Sequence, residues 1–176
     1  GMKTLFILNP RLKEAKKREV AEAASLYWKS DYDFVRGNIW DYDADALADY
    51  DHFVAVGGDG TIFAAVNTMM KTSARKLTIV PAGSGNDFAR CLGLKGDAIN
   101  ILKSAQTLEP RPMDLGKWNG HYFLNIASVG FDADVNANNN DGLKRFGPFS
   151  YTLSVIKTLF TYRPRIIEKE DLALRE

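Results

Sequence analysis

The chain has 176 residues, 45% hydrophobic and 11% aromatic, enough for a domain with a proper core. Lys and Arg total 23 against 22 for Asp and Glu, a net charge of +1, so no electrostatic feature points to nucleic acid or a strongly acidic partner. Cys91 is the single cysteine, which excludes an intrachain disulfide. The apolar run at the N-terminus is too short for a signal peptide, and no stretch approaches the roughly eighteen residues of a membrane span, so a cytoplasmic location is expected.

Lys3 to Leu8 predicts a buried strand, ended by the turn signal Asn9-Pro10. Leu12 to Lys29 carries Val20, Ala23, Ala24 and Tyr27 at helical spacing. Tyr32 to Val35 predicts a strand and Ala44 to Tyr50 a short helix. His52 to Val56 is a continuous apolar strand leading into Gly57-Gly58-Asp59-Gly60-Thr61, with a helix from Ile62 to Met70. Leu77 to Val80 predicts a strand that enters a second glycine loop, Gly83-Ser84-Gly85-Asn86-Asp87, with helices starting at Phe88 and Ala98.

Alternating strands and helices with unbroken apolar strands predict an α/β fold, a Rossmann-like parallel sheet flanked by helices, over residues 1–108. After Glu109 the character changes, and residues 109–176 read as the start of a β-rich second domain with a helix. Met113 to Lys117 and Tyr122 to Val129 predict paired strands joined by Asn119-Gly120. Asn136 to Asn140 reads as a loop and Ser150 to Tyr162 as a final helix. Trp28, Trp40, Trp118, His52, His121 and Cys91 read as packing or interface residues.

The chemistry concentrates in the two glycine loops. Glycines let the backbone approach a ligand closely, and the helix after Gly57–Thr61 presents N–H groups suited to phosphate. Asp59 could face a Mg²⁺ ion on that phosphate, and Thr61 offers a hydroxyl; the structural alternative is a tight turn with a cap. Ser84 and Asn86 can hydrogen-bond a nucleotide or a substrate hydroxyl, while Asp87 could serve the ligand or cap the next helix. No Gly-Lys-Ser/Thr follows either loop, so neither is a Walker A motif, and no dinucleotide fingerprint is present.

Gly57-Gly58-Asp59-Gly60-Thr61, together with Pro81-Ala82-Gly83-Ser84-Gly85-Asn86-Asp87-Phe88-Ala89-Arg90, resembles the diacylglycerol kinase catalytic-domain family, which includes bacterial lipid kinases and sphingosine kinases. Ser84 replaces that family's threonine. Asp114-Leu115-Gly116, Phe123-Leu124-Asn125 and Gly130-Phe131-Asp132 resemble its entry into a second domain. The resemblance implies ATP- and Mg²⁺-dependent phosphorylation of a lipid hydroxyl, such as that of diacylglycerol, with at most peripheral membrane contact. It implies that Asn9, Gly57, Gly58, Gly60, Thr61, Gly83, Ser84, Gly85, Asn86 and Asp87 bind nucleotide. Asp59 would act in catalysis and hold the metal, with Asp114 joining the metal network. Phosphoryl transfer needs mainly positioning and charge neutralisation, which such loops and a metal supply.

Two departures from the family shape the expectations. Asn9-Pro10 is followed by Arg11-Leu12-Lys13 with no glycine, so Arg11 or Lys13 is either a point charge for phosphate or part of a solvated face. Nothing after Pro164 resembles the later Gly-Asp-Gly-like stretch in which the family carries the group that activates the lipid hydroxyl. Two alternatives therefore stand beside a lipid kinase: a truncated nucleotide-binding module without turnover, and an NAD kinase-like enzyme. The apolar face of the expected final helix, Leu153, Ile156, Leu159 and Phe160, would be left uncovered, which predicts a homo-oligomer.

Overall fold

The structure is a computed structural model that describes residues 3–82, 98–107, 110–124 and 152–155. The chain runs β1 (Lys3–Leu8), α1 (Glu14–Tyr27), β2 (Asp31–Phe34), a 3₁₀ turn (Ile39–Asp41), β3 (His52–Gly57), α2 (Asp59–Met69) and β4 (Lys76–Pro81). It continues with α3 (Ala98–Ala105), β5 (Arg111–Met113), β6 (Leu115–Trp118), β7 (His121–Leu124) and β8 (Thr152–Val155). The main sheet has the order β2-β1-β3-β4-β8-β5, and β6-β7 is a separate hairpin.

The first four strands are parallel; the apolar runs of β1, β3 and β4 suit strands covered on both faces, while β2 at the edge alternates polar and apolar residues. Phe53 to Val56 on β3, and Leu77, Ile79 and Val80 on β4, are fully buried. From β1 the chain moves outward to β2, and from β3 it moves the opposite way to β4. Right-handed crossovers in opposite directions place α1 and α2 on opposite faces of the sheet. On its face, α1 packs alongside α3 and buries Val20, Ala23 and Ala24. On the other face, α2 lies between the sheet and the β6-β7 hairpin, which is why every residue from Ala64 to Met69 is buried, the polar Asn67 and Thr68 included. The Asn67 side chain fixes that hairpin: Nδ2 donates to Tyr122 O (2.8 Å), and the Tyr122 N–H donates to Oδ1 (2.7 Å). The hairpin turn needs two positive φ values, which Asn119 (49°) and Gly120 (79°) supply.

Buried polar groups are paired in a layer near the start of the strands. Trp28 Nε1 donates to Thr4 Oγ1 (2.9 Å), and His52 Nε2 hydrogen-bonds Thr78 Oγ1 (2.7 Å). The Trp28 and His52 rings meet edge to face at 5.2 Å. Burial, and secondarily the charge of Lys76, push the His52 pKa down to about 3. Both residues are structural, as expected from the sequence.

Three expectations are corrected. Thr152–Val155 is a strand, not part of a helix: a short apolar run containing β-branched Thr152 and Val155 does not distinguish the two by periodicity, and β4 and β5 both offer it pairing partners. That removes the helical-face argument for an oligomer at Leu153. Ala44–Tyr50 forms successive turns rather than a helix, opened by the Asp43 side chain accepting from the Ala46 N–H (2.9 Å). Met113 belongs to β5 in the main sheet, so the first hairpin strand starts at Leu115 rather than Met113, while residues 125–129 of the expected second strand lie outside the described residues. Cys91, the helix expected from Phe88 and the Asn136–Asn140 stretch lie outside the described residues.

Candidate functional site

In the order β2-β1-β3-β4, the direction of chain progression reverses between β1 and β3. A crevice opens outside the carboxyl ends of strands at such a reversal. The structure has a cleft of ≈ 860 Å³ there, a volume suited to a small ligand. Three loops line it: Asn9, Pro10 and Arg11 after β1; Gly37, Asn38, Ile39 and Trp40 after β2; and Gly58, Asp59, Gly60 and Thr61 after β3.

The β3 loop is held by close packing. Its Gly57 sits where a Cβ would lie 2.5 Å from Thr61 Oγ1 and 3.0 Å from Asn9 Cβ, so only glycine fits without displacing the two neighbouring loops. Asn9 is pinned in turn: its N–H donates to Val56 O (2.8 Å), and its Oδ1 accepts from the Arg11 N–H (2.9 Å). This local bond uses the Asn9 oxygen to shape the loop. Gly58 is the N-cap of α2 and has no side chain to cap it, while the Thr61 and Ile62 N–H groups both bond to Gly58 O at 3.1 Å. The positive end of the α2 dipole therefore opens on the cleft without a capping side chain, a ready anion site. Asp59 occupies the first turn, exposed at that same end.

Two cations border the cleft. Arg11 comes from the β1 loop and Lys17 from the first turns of α1, where Lys17 Nζ also lies 3.4 Å from Glu14 Oε1. Lys13 is the exposed N-cap of α1 and does not line the cleft. Sequence reasoning weighed Arg11 but missed Lys17, Asn38 and Trp40. In a parallel α/β sheet the helix after β1 and the loop after β2 begin at the same edge as the glycine loop, and that topology is the signal that could have found them. Trp40, read from sequence as a packing residue, lines the cleft, whereas Trp28 is buried in the core.

The structure thus brings together Asn9, Gly57, Gly58, Asp59, Gly60 and Thr61. Gly83, Ser84, Gly85, Asn86 and Asp87 lie outside the described residues, although β4 ends at the same edge with Pro81 opposite Gly57 and the Ala82 N–H bonded to Gly57 O (3.0 Å). Asp114 is not brought to Asp59. It follows β5, which runs parallel to β8 and hence opposite to β4, so it stands at the other edge of the sheet. Among the described residues no three His, Cys, Asp or Glu side chains gather as a metal cluster.

Comparison with known proteins gives the fold and cleft a family. Residues 3–118 match the model of the diacylglycerol kinase catalytic domain. The chain is 38% identical over 130 residues to a diacylglycerol kinase of Bacillus subtilis, covering 71% of this chain and 42% of that protein. It is 32% identical over 164 residues to a diacylglycerol kinase of Staphylococcus aureus, covering 88% and 52%. With a probable lipid kinase, YegS-like, of Pseudomonas syringae it shares 42% identity over 102 residues, covering 56% and 32%. The chain spans about half or less of the length of these curated relatives. It belongs to the diacylglycerol kinase catalytic-domain family.

Proposed function

We propose that the cleft binds ATP with Mg²⁺, and that this chain supplies the nucleotide-binding part of a lipid kinase acting on diacylglycerol or a related lipid. The observation that carries the reading is the α2 N-terminus: capped only by Gly58, opening with Asp59, and lining one cleft with Arg11 and Lys17 at the strand-order reversal. An uncapped helix end and two cations suit a polyphosphate. A carboxylate at the same positive end would repel that polyphosphate, and a divalent ion held between them removes the conflict. Asp59 is accordingly the residue that would hold the metal. When bound, Mg²⁺ would neutralise phosphate charge as the phosphoryl group moves.

The chain's own residues do the positioning. Gly58 and Gly60 present backbone without side-chain obstruction, Thr61 packs against Gly57, and Arg11 and Lys17 supply positive charge at the cleft lining. Gly83, Ser84, Gly85, Asn86 and Asp87 are proposed to complete the nucleotide site, since β4 delivers the chain to this edge. Asp114, at the opposite edge of the sheet, is not assigned to this site. The relatives named as kinases support lipid phosphorylation over the NAD kinase-like alternative. The protein is proposed to work in the cytoplasm with peripheral membrane contact, and light scattering reads whether it self-associates.

The test is thermal unfolding with and without Mg-ATP, followed by transfer of labelled phosphate to diacylglycerol in micelles. At a hundredfold excess over Kd, ATP should add about 2.7 kcal/mol, or roughly 8 °C in Tm. Asp59→Ala should lose the metal-dependent part of that gain. No shift with Mg-ATP refutes the nucleotide reading. A shift without transfer favours the nucleotide-binding module.

A further inference from the structure

Two aromatic side chains line the cleft, Phe34 and Trp40, and they are engaged differently. Phe34 is half-buried and stacked on Phe6 at 4.9 Å. Trp40 is 41% exposed, although its neighbour Ile39 is anchored in the core. The turn that carries it is fixed: the Trp40 N–H donates to Asn38 Oδ1 (3.0 Å), and the Tyr42 N–H to Ile39 O (3.2 Å). The indole also rests on α2, with the Phe63 ring 5.9 Å away and Lys71 Nζ 5.9 Å from its centroid. Phe63 and Lys71 follow Asp59 by one helical turn or more, so the indole stands along α2 rather than at its anion-suited terminus. Asn38 shares the cleft lining; its Oδ1 is spent on the turn, and its Nδ2 has no partner among the described residues.

We propose that Trp40 is the platform for the nucleobase, and that the site accepts purine nucleoside triphosphates without choosing between adenine and guanine. The inference rests on the polyphosphate reading of the cleft. Stacking on an indole rewards ring area and is indifferent to the groups at a base's edge. A purine therefore gains more than a pyrimidine. Choosing between purines needs a donor and an acceptor set against the base edge. Asn38 offers a donor only, because its oxygen is held by the Trp40 N–H. Adenine presents N7 as an acceptor and guanine presents N7 and O6, so the same Nδ2 serves both. The Phe63 and Lys71 contacts hold the indole before a ligand arrives, which lowers the cost of ordering it on binding.

The experiment is calorimetric titration of the full chain with the magnesium complexes of ATP, GTP, CTP and inorganic tripolyphosphate. ATP and GTP should bind within about threefold of each other and about tenfold or more tighter than tripolyphosphate, with CTP between. Trp40→Ala should bring both purine nucleotides down to the tripolyphosphate level and leave tripolyphosphate itself unchanged. Trp40→Phe should keep most of the purine gain. A preference of about tenfold for either purine overturns the proposed tolerance. Equal affinity for ATP and tripolyphosphate, or an undiminished purine advantage in Trp40→Ala, overturns the platform. Equal losses for all four ligands in Trp40→Ala make Trp40 a structural residue and overturn it too. Failure of tripolyphosphate and the nucleotides alike refutes the polyphosphate reading itself, and the platform with it.

Discussion

Replacing Gly57 with alanine drives a methyl group into the packing that joins two walls of the cleft. The new Cβ would lie 2.5 Å from Thr61 Oγ1, 2.9 Å from Thr61 Cβ and 3.0 Å from Asn9 Cβ. Carbon atoms rest at about 3.5–4.0 Å, so all three contacts are too short. Neither neighbour retreats easily. Thr61 belongs to the first turn of α2, with its N–H bonded to Gly58 O, and the Asn9 backbone is bonded to Val56. Overpacking of this kind costs about 1–3 kcal/mol. At about 2–4 °C per kcal/mol for a chain of this size, Tm should fall by roughly 2–12 °C in thermal unfolding. The Mg-ATP shift should fall as well, because relief of the clash displaces the α2 N-terminus. Thr61→Gly removes two of the three contacts, so the double variant should be less destabilised than the sum of the singles by about 1 kcal/mol. A Gly57→Ala protein within about 0.5 kcal/mol of wild type, or strictly additive effects in the cycle, would refute the packing argument.

Other perturbations test separate parts of the molecule. His52 is neutral in the fold with its pKa lowered to about 3, whereas the unfolded imidazole titrates near 6.5. Its contribution is therefore complete above pH 6.5 and lost as pH falls toward 3, at up to about 1.4 kcal/mol per pH unit. His52→Gln should flatten the pH dependence of unfolding between those values, and a signal assigned to the His52 imidazole that titrates near 6.5 in NMR spectra of the native protein would contradict it. Asn67→Ala removes both bonds to Tyr122 and should cost about 1–3 kcal/mol with faster hydrogen exchange at the Tyr122 amide; unchanged exchange there would count against the clamp. Thr68 Oγ1 is buried without a hydrogen-bond partner among the described residues, so Thr68→Val should stabilise by about 1 kcal/mol, and a loss in urea unfolding would show the hydroxyl to be satisfied. Arg11→Ala and Lys17→Ala should each weaken ATP binding about tenfold in calorimetry, less at high salt, and equal affinity would remove these residues from the site.

Most of the parallel sheet was legible from residue pattern. β1, β3 and β4 are short unbroken apolar runs, each ended by glycine, proline or asparagine, and the structure places all three where that pattern predicts. The Gly57–Thr61 loop was equally legible, because three glycines around an acid between a strand and a helix have few structural uses. What local pattern could not carry was sheet order. Lys17 looks like any solvated lysine until β1 is known to be central, and Trp40 looks like packing until the β2 loop is known to border the crevice. Thr152–Val155 failed for the related reason that strand pairing is decided by distant partners, here β4 and β5, rather than by its own four residues.

The hairpin's attachment to α2 also bears on where the polypeptide can be divided. Trimmed to end near Glu109, the chain would keep the cleft loops but strip α2 of the cover on its Asn67 side. The same helix would then carry the cleft-facing terminus at one end and a bare apolar flank along its length. The smallest portion fit for isolated study therefore extends at least through Leu124, and an experimenter shortening it further should expect aggregation before any loss of ligand contacts.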